Sequence, residues 1–132
     1  IPIKNHSDSL MVVSIHGIHA INFGRFKPYL QQALDYVGKH KGPILIAGDF
    51  NAYLFRKRTV KKMFERYGLS RFRFKKEDRK KLKGLFGVKV YDFIFSKGLA
   101  IDKDKSYVFK EKKKKNNMSD RYPMIISFKI NE

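Results

Sequence analysis

Pro43-Ile44-Leu45-Ile46-Ala47-Gly48-Asp49-Phe50-Asn51 is the stretch on which the fold turns. Its apolar run, rich in β-branched residues and bounded by Pro43 and Gly48, predicts a short buried strand over Pro43–Ala47. Upstream, Gly42-Pro43 stops a helical pattern. From Arg25 to His40 the apolar positions Phe26, Leu30, Ala33, Leu34 and Val37 recur at helical spacing, so one face of a helix is apolar. Further upstream, Leu10-Met11-Val12-Val13-Ser14-Ile15-His16 is a second apolar run and predicts another buried strand.

Downstream, Val60, Met63, Phe64 and Tyr67 share a face of a helix predicted over Thr59–Tyr67, with Gly68 ending it. Lys75 to Lys83 is so highly charged that it reads as an exposed loop. Val88 to Phe95 alternates in part and predicts a strand carrying Asp92. Tyr107-Val108-Phe109 predicts another strand, ahead of the low-complexity run Lys112-Lys113-Lys114-Lys115-Asn116-Asn117, which reads as a solvated loop. In Met124 to Ile130 the residues Met124, Ile126, Phe128 and Ile130 fall on one face of a final strand. With no internal repeat and no composition break, residues 1–132 read as a single unit without an internal boundary, of α+β class.

At 132 residues the chain is long enough for one packed core, and 42% hydrophobic residues rule out wholesale disorder. Thirty Lys and Arg against twelve Asp and Glu give a net charge of +18. Such a field attracts polyanions, of which nucleic acid is the commonest large one, or else it simply solubilises the surface. The absence of cysteine excludes disulfides and thiolate metal sites. No run approaches the ~20 apolar residues of a membrane span, and no export signal is visible, which favours a cytoplasmic location. The chain begins Ile1-Pro2-Ile3 without methionine, as expected of a processed chain, a truncated one or the ordered part of something longer.

Three acidic residues sit in or beside predicted strands: Asp49, Asp92 and Asp120. Carboxylates at strand ends can converge on one rim of a sheet, although each alone also reads as a turn or capping residue. Gly48-Asp49-Phe50-Asn51-Ala52, then Tyr91-Asp92-Phe93-Ile94-Phe95, then Ser119-Asp120-Arg121-Tyr122-Pro123 resemble, in order and spacing, motifs of the endonuclease/exonuclease/phosphatase family. Ser14-Ile15-His16-Gly17 resembles the histidine motif of its deoxyribonuclease-like members, and His19 in Ile18-His19-Ala20-Ile21-Asn22-Phe23 is a second candidate for that histidine.

The resemblance implies half of a four-layer α/β/β/α sandwich, namely the C-terminal half. It implies that Asp49 orients a water nucleophile, Asn51 donates to a phosphate and His16 contacts the phosphate or protonates an oxygen. Asp92 would orient the family's catalytic histidine, and Asp120, with Asp49, would hold Mg²⁺ or Mn²⁺. Two departures weaken the implied activity. Arg121 stands where the family has a histidine, and a guanidinium keeps its charge and cannot serve as a general base. The family's Gln-Glu metal motif is absent, since neither Gln31 nor Gln32 precedes a glutamate. A lone half would also leave a sheet face wet, so a missing N-terminal half, a second copy or another protein is expected to cover it.

Arg56, Lys57, Arg58, Lys61 and Lys62 follow the Asp49 motif, and Arg71, Arg73, Lys75, Lys76, Arg79, Lys80 and Lys81 come next, interleaved with Phe72 and Phe74. Together with Lys112, Lys113, Lys114 and Lys115 these residues are expected to form an electrostatic funnel for a phosphate backbone. Arg71 to Phe74 reads equally as a strand with one buried face. The sequence-level expectation is a metal-dependent, nuclease-like phosphodiesterase, weakened or inactive as given. The alternatives are a catalytically inactive nucleic-acid- or ribonucleoprotein-binding member and one acting on phospholipid or inositol phosphate.

Overall fold

The computed structural model describes residues 1–4, 7–17, 23–52, 56–82, 92–109 and 122–131. Among these residues six strands and three helices follow one another as β1 (Met11–His16), α1 (Phe23–Val37), β2 (Ile44–Asp49), α2 (Arg56–Glu65), β3 (Ser70–Phe72), α3 (Lys76–Lys81), β4 (Asp92–Lys97), β5 (Leu99–Val108) and β6 (Met124–Ile130). They form a mixed α/β structure with a four-stranded sheet ordered β1-β2-β4-β3 and a two-stranded sheet of β5 and β6. Two compact units result. The first is Ile1–Phe72 with Tyr91–Leu99 and Ile130–Glu132, and the second is Arg73–Val90 with Ala100–Lys129.

In the first unit β1 and β2 run parallel, which requires a crossover, and α1 lies between them in the chain. β4 then pairs antiparallel with both β2 and β3. Alternation sorts the side chains. Ile15 on β1, Ile44 and Ile46 on β2, and Phe93 and Phe95 on β4 join Phe26, Leu30, Leu34 and Val37 of α1 and Val60, Met63 and Phe64 of α2 in one core. Phe50 sits within this core with no exposed surface, edge-on to Phe64 and Phe95 and tilted against Phe93. The opposite face of β1 and β2 carries Val12, Ser14, Leu45 and Ala47, of which Val12 is 53% exposed.

Helix α1 ends at Val37, three residues short of the expected His40. Gly38 and His40 instead donate to Leu34 and Val37 in turns. Helix α2 starts three residues before the expected Thr59. It closes at Glu65, before Gly68, whose φ of 73° reverses the chain while Leu69 donates to the Phe64 carbonyl. Of the strand expected over Val88–Phe95, the part from Asp92 onward is β4, and Val88–Tyr91 lies outside the described residues. Of the strand expected over Tyr107–Phe109, Tyr107 and Val108 end the longer β5 and Phe109 lies just beyond it, and Met124–Ile130 is a strand as expected.

The larger correction is Lys75–Lys83. The expected loop contains helix α3, Lys76–Lys81, and its charges are the reason. Glu77 and Asp78 lie in the first turn and Arg79, Lys80 and Lys81 in the last, the arrangement that complements the helix dipole. Asp78 is buried, accepting the Val108 N–H at 3.2 Å and the Lys81 ammonium at 2.6 Å, while Lys81 also donates to the Val108 carbonyl at 3.2 Å. One edge of β5 is thus finished by a helix rather than by a strand. The Lys81 ammonium is the main cause that holds the Asp78 carboxyl below its ordinary value; burial opposes it and the Val108 N–H assists.

Candidate functional site: a polar rim at the strand ends

The register of the first sheet aligns three of the residues singled out in the sequence. His16 on β1 is the partner of Asp49 on β2, and Asp49 is the partner of Asp92 on β4. In-register partners on adjacent strands share a face, so one imidazole and two carboxylates form a row across the sheet. His16 is exposed, and Asp49 and Asp92 are half-buried. The row lies at the carboxyl ends of the parallel strands β1 and β2.

The backbone around this row is tightly determined. The Gly17 N–H donates to the Asp49 carbonyl at 2.6 Å, and the Asn51 side-chain amide donates to the Gly17 carbonyl at 2.7 Å. Asn51 is buried, at a φ of 46°, and its backbone N–H donates to Asp49 Oδ1 at 2.8 Å. Asparagine tolerates this left-handed conformation better than most residues. The glycines are steric necessities. A Cβ at Gly48, whose φ is 149°, would lie 1.9 Å from the Ile15 carbonyl oxygen, and one at Gly17 would lie 2.4 Å from that of Phe50. From α1, the Tyr29 hydroxyl donates to the His16 carbonyl at 3.1 Å. No pattern in the sequence pointed to Tyr29, whereas Gly17 stood next to His16 in the quoted motif.

The expected role of Asn51 as a phosphate donor meets a different geometry. One of its two amide N–H groups donates to the Gly17 carbonyl, which ties the two strand ends together, while the amide has a second N–H to offer. Asp120 and Arg121 lie outside the described residues, as do His19, Lys112, Lys113, Lys114 and Lys115. Among the expected nucleic-acid contacts, Arg58, Lys61, Lys62 and Arg79 are exposed, and Lys61 pairs with Glu65 at 3.4 Å. Arg56 is misplaced by the sequence reading. It is 4% exposed, and its guanidinium packs over the Phe26 ring 4.7 Å from the centroid. Arg71 likewise stacks on Phe93 at 4.1 Å, so Ser70–Phe72 is a strand with an inward face.

Chemically, the row offers carboxylate acceptors beside an imidazole that can both donate and accept. Mg²⁺ keeps several of its waters and usually takes only one or two protein carboxylates. Among the described residues no group of three or more His, Asp or Glu side chains could hold a metal ion, and Asp49 Oδ1 is already engaged by Asn51. Asp120, the other expected ligand, lies outside the described residues.

Fold and site together define a mixed α/β protein with a polar rim at the ends of a parallel strand pair. The chain is 32% identical over 126 residues to a UPF0294 protein of Erwinia tasmaniensis, an alignment that covers 92% of this chain and 42% of the relative. It is 28% identical over 130 residues to a UPF0294 protein of Vibrio campbellii, covering 97% of this chain and 43% of that relative. The chain thus spans less than half the length of these curated relatives. No protein-family model matches it, and no solved structure does.

These comparisons overturn the expected endonuclease/exonuclease/phosphatase membership. Over nearly the whole chain the relatives carry the UPF0294 name, which states no activity, and no family model supports the motif resemblance. The metal-dependent nuclease reading falls with it, as do the hydrolase, magnesium and metal-binding roles and the alternative of an inactive nucleic-acid- or ribonucleoprotein-binding protein. There is a physical reason why the motif misleads. Gly48 is demanded by the close approach of β1, Asp49 receives the Asn51 N–H, and Asn51 ties down Gly17, so this residue pattern serves the turn itself.

Proposed function

We propose that the row His16–Asp49–Asp92 is a ligand site for a small neutral polyhydroxylated molecule, a sugar or polyol. The observation that carries the proposal is the register, which puts two carboxylates directly opposite each other on β2 and β4. The supporting turn holds a left-handed Asn51 and a glycine that no other residue can replace, and conformations of this kind concentrate at ligand sites. In open sheets ligands gather outside the carboxyl ends of parallel strands, where this row lies. Carboxylates accept hydrogen bonds from hydroxyl groups, and the net charge of +18 disfavours a cationic ligand.

The same proposal takes the four-stranded sheet to be one half of a layered sandwich. The polypeptide that the longer relatives possess beyond this stretch would cover the face bearing Val12, Leu45 and Ala47, with the row His16–Asp49–Asp92 at the rim of that same face. Half-exposed apolar side chains on that face and relatives more than twice the matched length support this reading.

The test is an NMR titration of the protein with a panel of free monosaccharides and polyols. At least one should shift the resonances of His16, Asp49 and Asp92. Asp49→Asn and Asp92→Asn should weaken that response while leaving the melting temperature unchanged or higher. In Asp49→Asn the new carboxamide oxygen can still accept the Asn51 N–H. A silent panel, or a large loss of stability in both variants, would show the carboxylates to be structural.

A further inference from the structure

The second unit carries a surface that the strand-end site does not use. Along β5 and the residue after it, exposure alternates: Ser106 and Val108 are buried, while Lys105, Tyr107 and Phe109 face solvent, with Lys103 exposed further along. Tyr107 is 45% and Phe109 48% exposed. Phe109 follows the last residue of β5 and is held beside the start of β6, its N–H donating to the Pro123 carbonyl at 2.9 Å. Two aromatic rings therefore stand roughly 7 Å apart on one face of an extended segment. The other exposed large apolar side chains among those described, Ile1, Val12 and Tyr36, stand one to an element.

The charges beside this strip are arranged unequally. Asp104 pairs with Lys75 at 2.6 Å, which also lies close enough to hold its carboxyl below the ordinary value, with a lesser contribution from Lys103. Asp102, within β5, turns its carboxylate back on the residues that follow: Oδ1 accepts the N–H groups of Asp104 and Lys105, and its other oxygen is 3.8 Å from the Lys105 ammonium. Lys105 itself is 77% exposed. The alternating outward face thus holds Lys105, Tyr107 and Phe109, with Lys103 exposed nearby and the exposed Asp104 held by Lys75.

From this juxtaposition we infer that the β5 strip of Lys103, Lys105, Tyr107 and Phe109 is a peripheral docking surface for an anionic lipid bilayer. A tyrosine with an apolar body and a polar tip suits the headgroup level, and an adjacent phenylalanine suits the acyl boundary just beneath it. Lysine stems lie along apolar surface while their ammonium groups reach lipid phosphates. Near an anionic surface each lysine strengthens partitioning by about fivefold, an attraction that fades within a Debye length. No helix among the described residues is long and apolar enough to cross a membrane. Charge complementarity selects the bilayer: a strip rimmed by lysines in a chain of charge +18 favours an anionic, partly apolar partner over a neutral apolar one.

The chain contains no tryptophan, so Phe109→Trp installs a single reporter in the strip. Tyr36→Trp on α1 serves as the comparison. Both variants are first checked for parental melting, then mixed with vesicles of equimolar phosphatidylcholine and phosphatidylglycerol. With F109W the emission should shift to the blue and be quenched by lipids brominated on the acyl chains; Y36W should show neither. Y107S/F109S should lose at least about tenfold in vesicle affinity, although it keeps every charge. Unquenched emission from F109W in the bound protein, or undiminished vesicle affinity of Y107S/F109S, would show that the lysines bind anions without the strip and would overturn the inference. Quenching of F109W by a single-stranded oligonucleotide that also displaces the vesicles would likewise overturn it, because the rings would then be stacking platforms for bases.

Discussion

Gly48→Ala is the substitution through which the strand-end geometry can be tested most directly. The new Cβ would lie 1.9 Å from the Ile15 carbonyl oxygen, where real contacts stay beyond 3.0 Å. The obstacle is backbone of the neighbouring strand, so no side chain can rotate away; β1 and β2 must part locally by about 1 Å. A hydrogen bond of ~2.9 Å stretched by that much is no longer one. The bond at risk in this stretch is Gly17 N–H to Asp49. Losing one or two such bonds costs about 0.5–1.5 kcal/mol each, and holding alanine at a φ of 149° costs a further ~1–3 kcal/mol. The expected total is about 1.5–6 kcal/mol, whose upper part is among the larger effects that a single substitution produces. Urea unfolding followed by circular dichroism measures it as a fall in midpoint with little change in slope. Gly24→Ala is the control: it lies in α1 with open space around its missing Cβ, and should stabilise by up to about 1 kcal/mol. A Gly48→Ala protein that loses less than about 1 kcal/mol and keeps its His16 and Asp49 resonances would refute the close-packed strand end.

Two other predictions address charges whose roles the tertiary structure assigns. The Asp78 carboxyl is held below its ordinary value of 3.8, so its contribution is fully present above that value and is lost as pH falls through the depressed folded value. Asp78→Asn should therefore flatten the acid limb of the melting curve between about pH 5 and 2, with α3 amide resonances reporting it; an unchanged limb would remove Asp78 from the account. Arg56→Ala should cost about 2 kcal/mol through lost packing on Phe26, whereas the exposed Arg58→Ala should change stability by less than about 0.5 kcal/mol. Equal effects in thermal melts would contradict the burial difference.

The sequence by itself determined the elements whose side chains are sorted by a local period. Phe26, Leu30, Leu34 and Val37 announce α1, and the apolar runs around Val13 and Ile46 announce β1 and β2, because water selects one apolar stripe or one pleated face. It also placed His16 at the end of one strand, Asp49 just after another and Asp92 within a third. What it could not supply was pairing. Only the register reveals that the three stand in one row and that Asp49 faces Asp92, since strand order depends on contacts between residues far apart in the chain. Helix α3 was hidden because its charges look like those of a solvated loop until Val108 provides the partner for Asp78 and Lys81. Arg56 was hidden for a related reason. A guanidinium reads as surface from sequence, and only the tertiary structure could show the Phe26 ring on which it is buried.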